Sequence, residues 1–217
     1  MAPAEQGVVP RAVRNGRAGR RTQEERSAET RARVVAGAAE CVVEKGFRGA
    51  TMTAIAESAG VTWGAMQHQF GDKDAILDAV MEEALVLFER EISQVGSAPA
   101  VVDQRVRRFL ARADELLRGR SYGAYLEIQL NRSRSDAPDQ ASNWARYVAG
   151  VLDRSWQAAF GDLGLPRRAL EESKRFGFMA LAGMATERML FPEVDRIRPQ
   201  LRSLGDALLR IFSADDR

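Results

Sequence analysis

From Val34 onward, apolar residues recur at three- and four-residue steps (Val34, Val35, Ala38, Ala39, Val42, Val43) behind a polar lead-in from Ser27 to Arg33. That spacing predicts an amphipathic helix, with Gly46 ending it as a C-cap would. Thr51 or Thr53 can cap a second, short helix through Ile55, Ala56 and Ala59, which Gly60 breaks. Thr62 can cap a third from Trp63 to about Gln69, with Met66 and Phe70 four apart on its inner face. Two short helices joined by a tight glycine-containing turn predict helix-turn-helix geometry.

Asp72 caps a long helix through Ile76, Leu77, Val80, Met81, Ala84, Leu85 and Phe88 to about Val95, which the stretch Gly96 to Pro99 ends. Helical patterns follow over 100–118, 121–131, 139–160, 167–190 and 194–213, and nothing alternates with period two over a useful length. The fold class expected is all-α. In the last helix Ile197, Leu201, Leu204, Leu208 and Ile211 follow 4-3-4-3 spacing, a seam suited to packing on another helix. The helix before it sets Ala180 and Gly183 among Phe176, Phe178 and Met184, so a second helix can approach closely. Both could complete the monomer core or supply a homodimer's bundle. The expected dimer interface is Phe176, Ala180, Gly183, Met184, Ile197, Leu201, Leu204, Leu208 and Ile211.

Composition narrows the function. The chain of 217 residues is 45% hydrophobic and 29% charged, which is globular composition, and Cys41, its single cysteine, cannot form an internal disulfide. No run approaches a membrane span, and the arginine-rich start lacks the apolar core of a secretory signal, so a reduced, cytoplasmic protein with no membrane partner is expected. One histidine, His68, leaves little room for a Ser-His-Asp triad or a multi-histidine metal site. No lysine follows a glycine and no two glycines stand as Gly-x-Gly, which removes the phosphate-loop and dinucleotide fingerprints. A binder rather than an enzyme is expected, with no metal and no cofactor.

The net charge of +2 is unevenly spread: residues 1–21 carry +4, residues 22–79 carry −3 and the remainder +1. With Arg11, Arg14, Arg17, Arg20 and Arg21 among prolines and glycines, the first segment reads as a flexible basic arm of the kind that binds nucleic acid.

Residues 30–77, TRARVVAGAAECVVEKGFRGATMTAIAESAGVTWGAMQHQFGDKDAIL, carry Gly46-Phe47, Thr51, Ile55-Ala56, Ala59-Gly60-Val61, Gly64, Phe70 and Lys73 at a characteristic spacing. In this the chain resembles the TetR family of bacterial transcriptional regulators. The resemblance implies a homodimer joined by the last two helices, a third helix in the major groove of a double-stranded DNA operator, and a central pocket for a small effector that lowers operator affinity. Positions that contact DNA in similar proteins fall here on Thr51, Thr62, Trp63, Gly64, Ala65, Gln67, His68, Gln69 and Lys73. The family usually has Tyr where this chain has Gln67.

The residues themselves agree on mechanism. Thr51 and Lys73 sit at helix starts, where free N–H groups favour an anion, and are candidate phosphate anchors; on the residues alone, ordinary capping for Thr51 and a solvated surface charge for Lys73 are the alternatives. Trp63 lies outside the stripe of Met66 and Phe70, and Gly64 permits close backbone approach. Effector-lining residues are sought among Phe88, Phe109, Tyr122, Tyr125, Trp144, Phe178 and Met179, with Gln129 or Asn143 orienting a small hydrophobic or aromatic molecule. The chain is thus divided into an arm (1–26), a helix-turn-helix domain (27–72) and an effector-binding and dimerisation domain (73–217). The function expected is a ligand-released repressor. The alternatives are an architectural DNA-binding dimer without effector, and a helical enzyme or carrier with a coincidental motif.

Overall fold

The computed structural model describes residues 22–97, 101–132, 138–191 and 197–213; among them there are only helices, turns and short connections. Among the described residues nine α-helices run in order: α1 (Gln23–Gly49), α2 (Met52–Ala59), α3 (Trp63–Phe70), α4 (Lys73–Ser93), α5 (Val102–Arg118), α6 (Arg120–Arg132), α7 (Pro138–Phe160), α8 (Arg167–Leu190) and α9 (Ile197–Ser213). None of these is long and apolar enough to cross a membrane. The basic residues 1–21, on which the expected arm rests, lie outside the described residues.

The first helix begins earlier than its apolar pattern. Thr22 Oγ1 accepts from the Glu25 N–H at 3.1 Å while the Glu25 carboxylate accepts from the Thr22 N–H at 2.7 Å, a reciprocal cap that starts α1 at Gln23. Residues 23–26, assigned to the arm on composition, are therefore helical. At the other end the chain passes through Gly46 with φ 73°, so the helix breaks where the sequence placed its cap.

Two apolar clusters organise the molecule. One joins Val34, Val35, Ala38 and Val42 of α1 to Ile55 of α2, Met66 of α3, the first half of α4 (Ile76, Leu77, Val80, Met81) and Ala124 and Ile128 of α6. The other joins the second half of α4 (Leu85, Phe88, Ile92) to α5, α7, α8 and α9 around Phe109, Trp156 and Phe160. Helix α4 thus contributes to both, and Tyr125 and Trp144 pack against both. Arg105, buried on α5, donates to the Ala159 carbonyl at 3.2 Å and to the Asp162 carboxylate, tying α5 to the end of α7.

The seam of the last helix points inward. Leu204 and Leu208 are 3% and 0% exposed and Ile197 is equally enclosed, while Leu201 and Ile211 are half-buried. Their 4-3-4-3 spacing is satisfied within one chain, by α5 and α8. Ile197, Leu204 and Leu208 are therefore core residues, not a dimer surface. What α8 leaves outside is different: Phe176 at 44%, Met179 at 74%, and Gly183 facing open space, with Ala180 and Met184 half-buried beside them.

Candidate nucleic-acid interface

The reading head is built from caps. Thr51 Oγ1 accepts from the Ala54 N–H and Thr62 Oγ1 from the Ala65 N–H, each at 3.2 Å, so both threonines start their helices with the hydroxyl already engaged. Between them Gly60 turns the chain in the left-handed region at φ 61°, where a side chain would be strained. Arg33 on α1 donates to the Ala59 carbonyl at 2.9 Å and to that of Gly60, satisfying the exposed C-terminal end of α2. The sequence gives no sign of that role, because the arginine and its acceptors are 26 and 27 residues apart.

On α3 one residue holds and several face out. Met66 is fully buried against α1, α2 and α4, whereas Trp63, Gly64, Ala65, Gln67 and His68 are exposed; Trp63 is 54% open and a Cβ on Gly64 would meet nothing within 4 Å. An indole displayed this way, next to a bare backbone, suits a docking surface. Two of the expected contacts are turned elsewhere. Gln69 is half-buried and its Oε1 accepts from Ser27 Oγ at 3.0 Å. Lys73 is also half-buried: its Nζ donates to the Phe47 carbonyl at 2.8 Å and stands 4.7 Å from the centre of the Phe47 ring. Burial pulls its ammonium below the usual lysine range.

Phe47 is held from a second side. Its N–H donates to the Glu127 carboxylate on α6 at 3.1 Å, and Asn131 donates to the same carboxylate oxygen at 3.2 Å. The segment just after the Gly46 break is therefore clamped between α4 and α6. Neither contact is legible from spacing, since 26 and 80 residues separate the partners.

The residues expected around an effector do not share one cavity. Phe109 and Phe178 belong to a filled aromatic cluster with Trp156 and Phe160, with ring centroids 5.1 to 6.2 Å from Phe109. Met179 lies on the outside of α8, away from both grooves. Gln129, Asn143 and Trp144 line a groove of about 760 Å³ between α4, α6 and α7. Phe88 and Tyr122 line a smaller one of about 310 Å³, with Tyr125 behind its aromatic wall. Both grooves carry ionisable side chains, Asp74, Asp78, Glu82 and Arg132 in the first and Glu91, Arg112 and Glu115 in the second, so their linings are more charged than a small hydrophobic or aromatic effector calls for.

Tyr122 stacks on Tyr125 at 5.6 Å, and burial pushes its phenol up to about 12. The raised value means that the neutral form is favoured by folding. Its contribution is complete below pH 10, the unfolded value, and is lost as pH climbs toward 12. Between about pH 9 and pH 11 this one group should remove about 1 kcal/mol. Urea midpoints at those two pH values should converge in Tyr122→Phe by that amount; an unchanged difference would mean that the phenol titrates as freely folded as unfolded.

Comparison with known proteins follows the same division between head and body. Residues 34–80 match the model of bacterial regulatory proteins of the tetR family. The HTH-type transcriptional repressor AcnR of Corynebacterium efficiens is 33% identical over 67 residues, which are 31% of this chain and 36% of AcnR. The chain thus spans about a third of that relative. The HTH-type transcriptional regulator CymR of Pseudomonas putida is 25% identical over 181 residues, 82% of this chain and 88% of CymR. A crystallised Mesorhizobium loti protein assigned to the same family superimposes with a TM-score of 0.66 at 19% identity, over 87% of this chain and 98% of the other, and so shares the fold. The head that matches in sequence is the part whose caps and turn were described above, and the body that has diverged keeps its helical layout. Over residues 34–80 the chain thus matches the bacterial regulatory proteins of the tetR family, and its helical body has the fold of the Mesorhizobium loti protein.

Proposed function

We propose that the protein is a sequence-specific repressor that binds a double-stranded DNA operator as a homodimer and is released by a small effector held among α4, α6 and α7. The observation that carries this reading is the outer face of α3, where Trp63, Gly64, Ala65, Gln67 and His68 stand exposed while Met66 alone anchors the helix. A helix so displayed fits the major groove. Thr51 and Thr62 flank it with helix N-termini that favour phosphate. In this reading Gln69 and Lys73, expected to touch DNA, instead hold the head together through Ser27 and Phe47. The names borne by AcnR, a repressor, and CymR, a regulator, support the assignment.

Gln67 stands where similar proteins usually have Tyr, and its amide offers the donor and acceptor that pair with adenine N6 and N7. Gln67→Ala should cost roughly 1 to 3 kcal/mol on the best operator and relax preference at one position per half-site. Binding profiled across all single-base operator variants checks it; a uniform loss would make Gln67 a positioning contact that reads no base.

Release requires that the effector site and the head communicate, and α4 contributes to the core of each. Coupling of about 1 to 3 kcal/mol is typical of such a linkage. Selecting bound fragments from random DNA should enrich a two-fold symmetric site, and small molecules should then be found that release it. Absence of any enriched sequence would defeat the repressor reading, and an enriched site that no compound releases would leave an architectural DNA-binding dimer.

A further inference from the structure

Asp74, Asp78 and Glu82 follow one another at four-residue steps along α4, so their carboxylates line a single face. They border the groove of about 760 Å³, and Trp144 and Tyr147 of α7 also line it, with ring centroids 5.4 Å apart. Arg132 of α6 is the cation among the described lining residues. Its guanidinium pairs with Asp74 and Asp78 and its side chain is only 12% exposed, so the groove already keeps one organic cation nearly covered. Three carboxylates against one guanidinium leave a surplus of two negative charges. The field extends to the aromatic side: burial first, and then Glu82 and Glu89, push the Tyr147 phenol above its usual range.

That combination discriminates among ligands. An anion meets like charge, and a neutral apolar molecule would have to strip water from carboxylates it cannot satisfy. An organic cation with an aromatic or apolar body avoids both costs, because its charge meets the carboxylates while its body and charge meet ring faces. We propose that the groove between α4, α6 and α7 binds an organic cation, seated with its charge among Asp74, Asp78 and Glu82 and its body on Trp144 and Tyr147. This names the effector class for the release proposed above and rests on that reading only for its regulatory consequence. The bound cation competes with Arg132 for Asp74 and Asp78. These pairs are largely exposed on the aspartate side and hence weak enough to exchange. Displacing them frees α6 from the first turns of α4, where that helix leaves the reading head.

The test titrates the full chain with phenyltrimethylammonium and with its neutral isostere tert-butylbenzene, following intrinsic tryptophan fluorescence and, for the soluble cation, heat. The cation should bind, the isostere at least about tenfold more weakly, and Glu82→Gln and Asp78→Asn should each weaken the cation by about tenfold, an ordinary value for removing one partner charge. Glu82 is exposed on α4, so its variant is expected to keep the fold, and circular dichroism verifies this. No cation binding in the millimolar range, equal binding of the isostere, or cation binding indifferent to both substitutions would each overturn the proposal. A cation that binds as expected yet leaves operator affinity unchanged keeps the site and removes the effector-released reading instead.

Discussion

Gly37→Val should unseat the DNA-reading head and abolish operator binding. A Cβ on Gly37 would lie 2.6 Å from the Ala59 nitrogen and 2.7 Å from its Cα, and these are backbone atoms that cannot swing aside as a side-chain tip does. Helices α1 and α2 touch there through their main chains, so any side chain pushes α2 and the turn at Gly60 away from the first core. Overpacking of this kind typically costs 1 to 3 kcal/mol; with two branches on valine the cost should be about 3 kcal/mol or more, lowering Tm by roughly 6 to 12 °C. The Arg33 bonds to the Ala59 and Gly60 carbonyls should be strained along with it. Gly150→Ala is the control. A Cβ there meets only Arg154 Nη1, at 3.2 Å, in a guanidinium paired with Glu89 at the surface, so the better helix former should stay within about 1 kcal/mol of neutral. Thermal unfolding and operator titration of both variants check the pair; a Gly37→Val protein of wild-type Tm would show that α2 can ride outward without loss.

How far the sequence goes is visible at individual residues. Thr51, Thr62 and Asp72 are legible as caps because cap chemistry is local, needing a short polar side chain, a free N–H three residues on and an apolar run behind. Met66 is legible as the anchor of α3 for the same kind of reason: period and burial agree over one turn. The 4-3-4-3 seam of α9 is equally legible as a seam, but spacing says only that some helix covers it, and α5 and α8 of the same chain do. Phe109 and Phe178 are correctly apolar and inward, yet period does not tell a filled aromatic cluster from the wall of a cavity. Lys73 shows the third limit. Its position at a helix start predicts a free cation for phosphate, and only the break at Gly46 brings the Phe47 carbonyl within 2.8 Å of it. Gln129, Asn143 and Trp144 of the groove between α4, α6 and α7 are legible as ligand-side residues, but its charge is not, because its acids belong to one helix, its rings to a second and its arginine to a third.

Phe176→Glu combined with Met179→Glu should convert the proposed homodimer to monomers and reduce operator affinity on the order of 10² to 10⁴-fold, the loss expected when two linked half-site contacts become independent ones. Both side chains are exposed on α8, near Gly183, whose open face allows a second helix to approach. Because Met179 is mostly open and Phe176 close to half open, helical content should be kept and Tm should fall far less than for a core substitution, beyond the loss of the partner. The contrast is Leu204→Glu with Leu208→Glu. Those residues are 3% and 0% exposed, so carboxylates there would be buried without partners and the distal core around Trp156 should unfold outright. Both double variants lose DNA binding, but for different reasons that sedimentation and circular dichroism separate: a folded monomer in the first case, an unfolded chain in the second. If the α8 variant sediments as a dimer, the stripe of Phe176 and Met179 is not the surface that joins the subunits; if the α9 variant stays folded, the seam is not the interior layer its burial indicates.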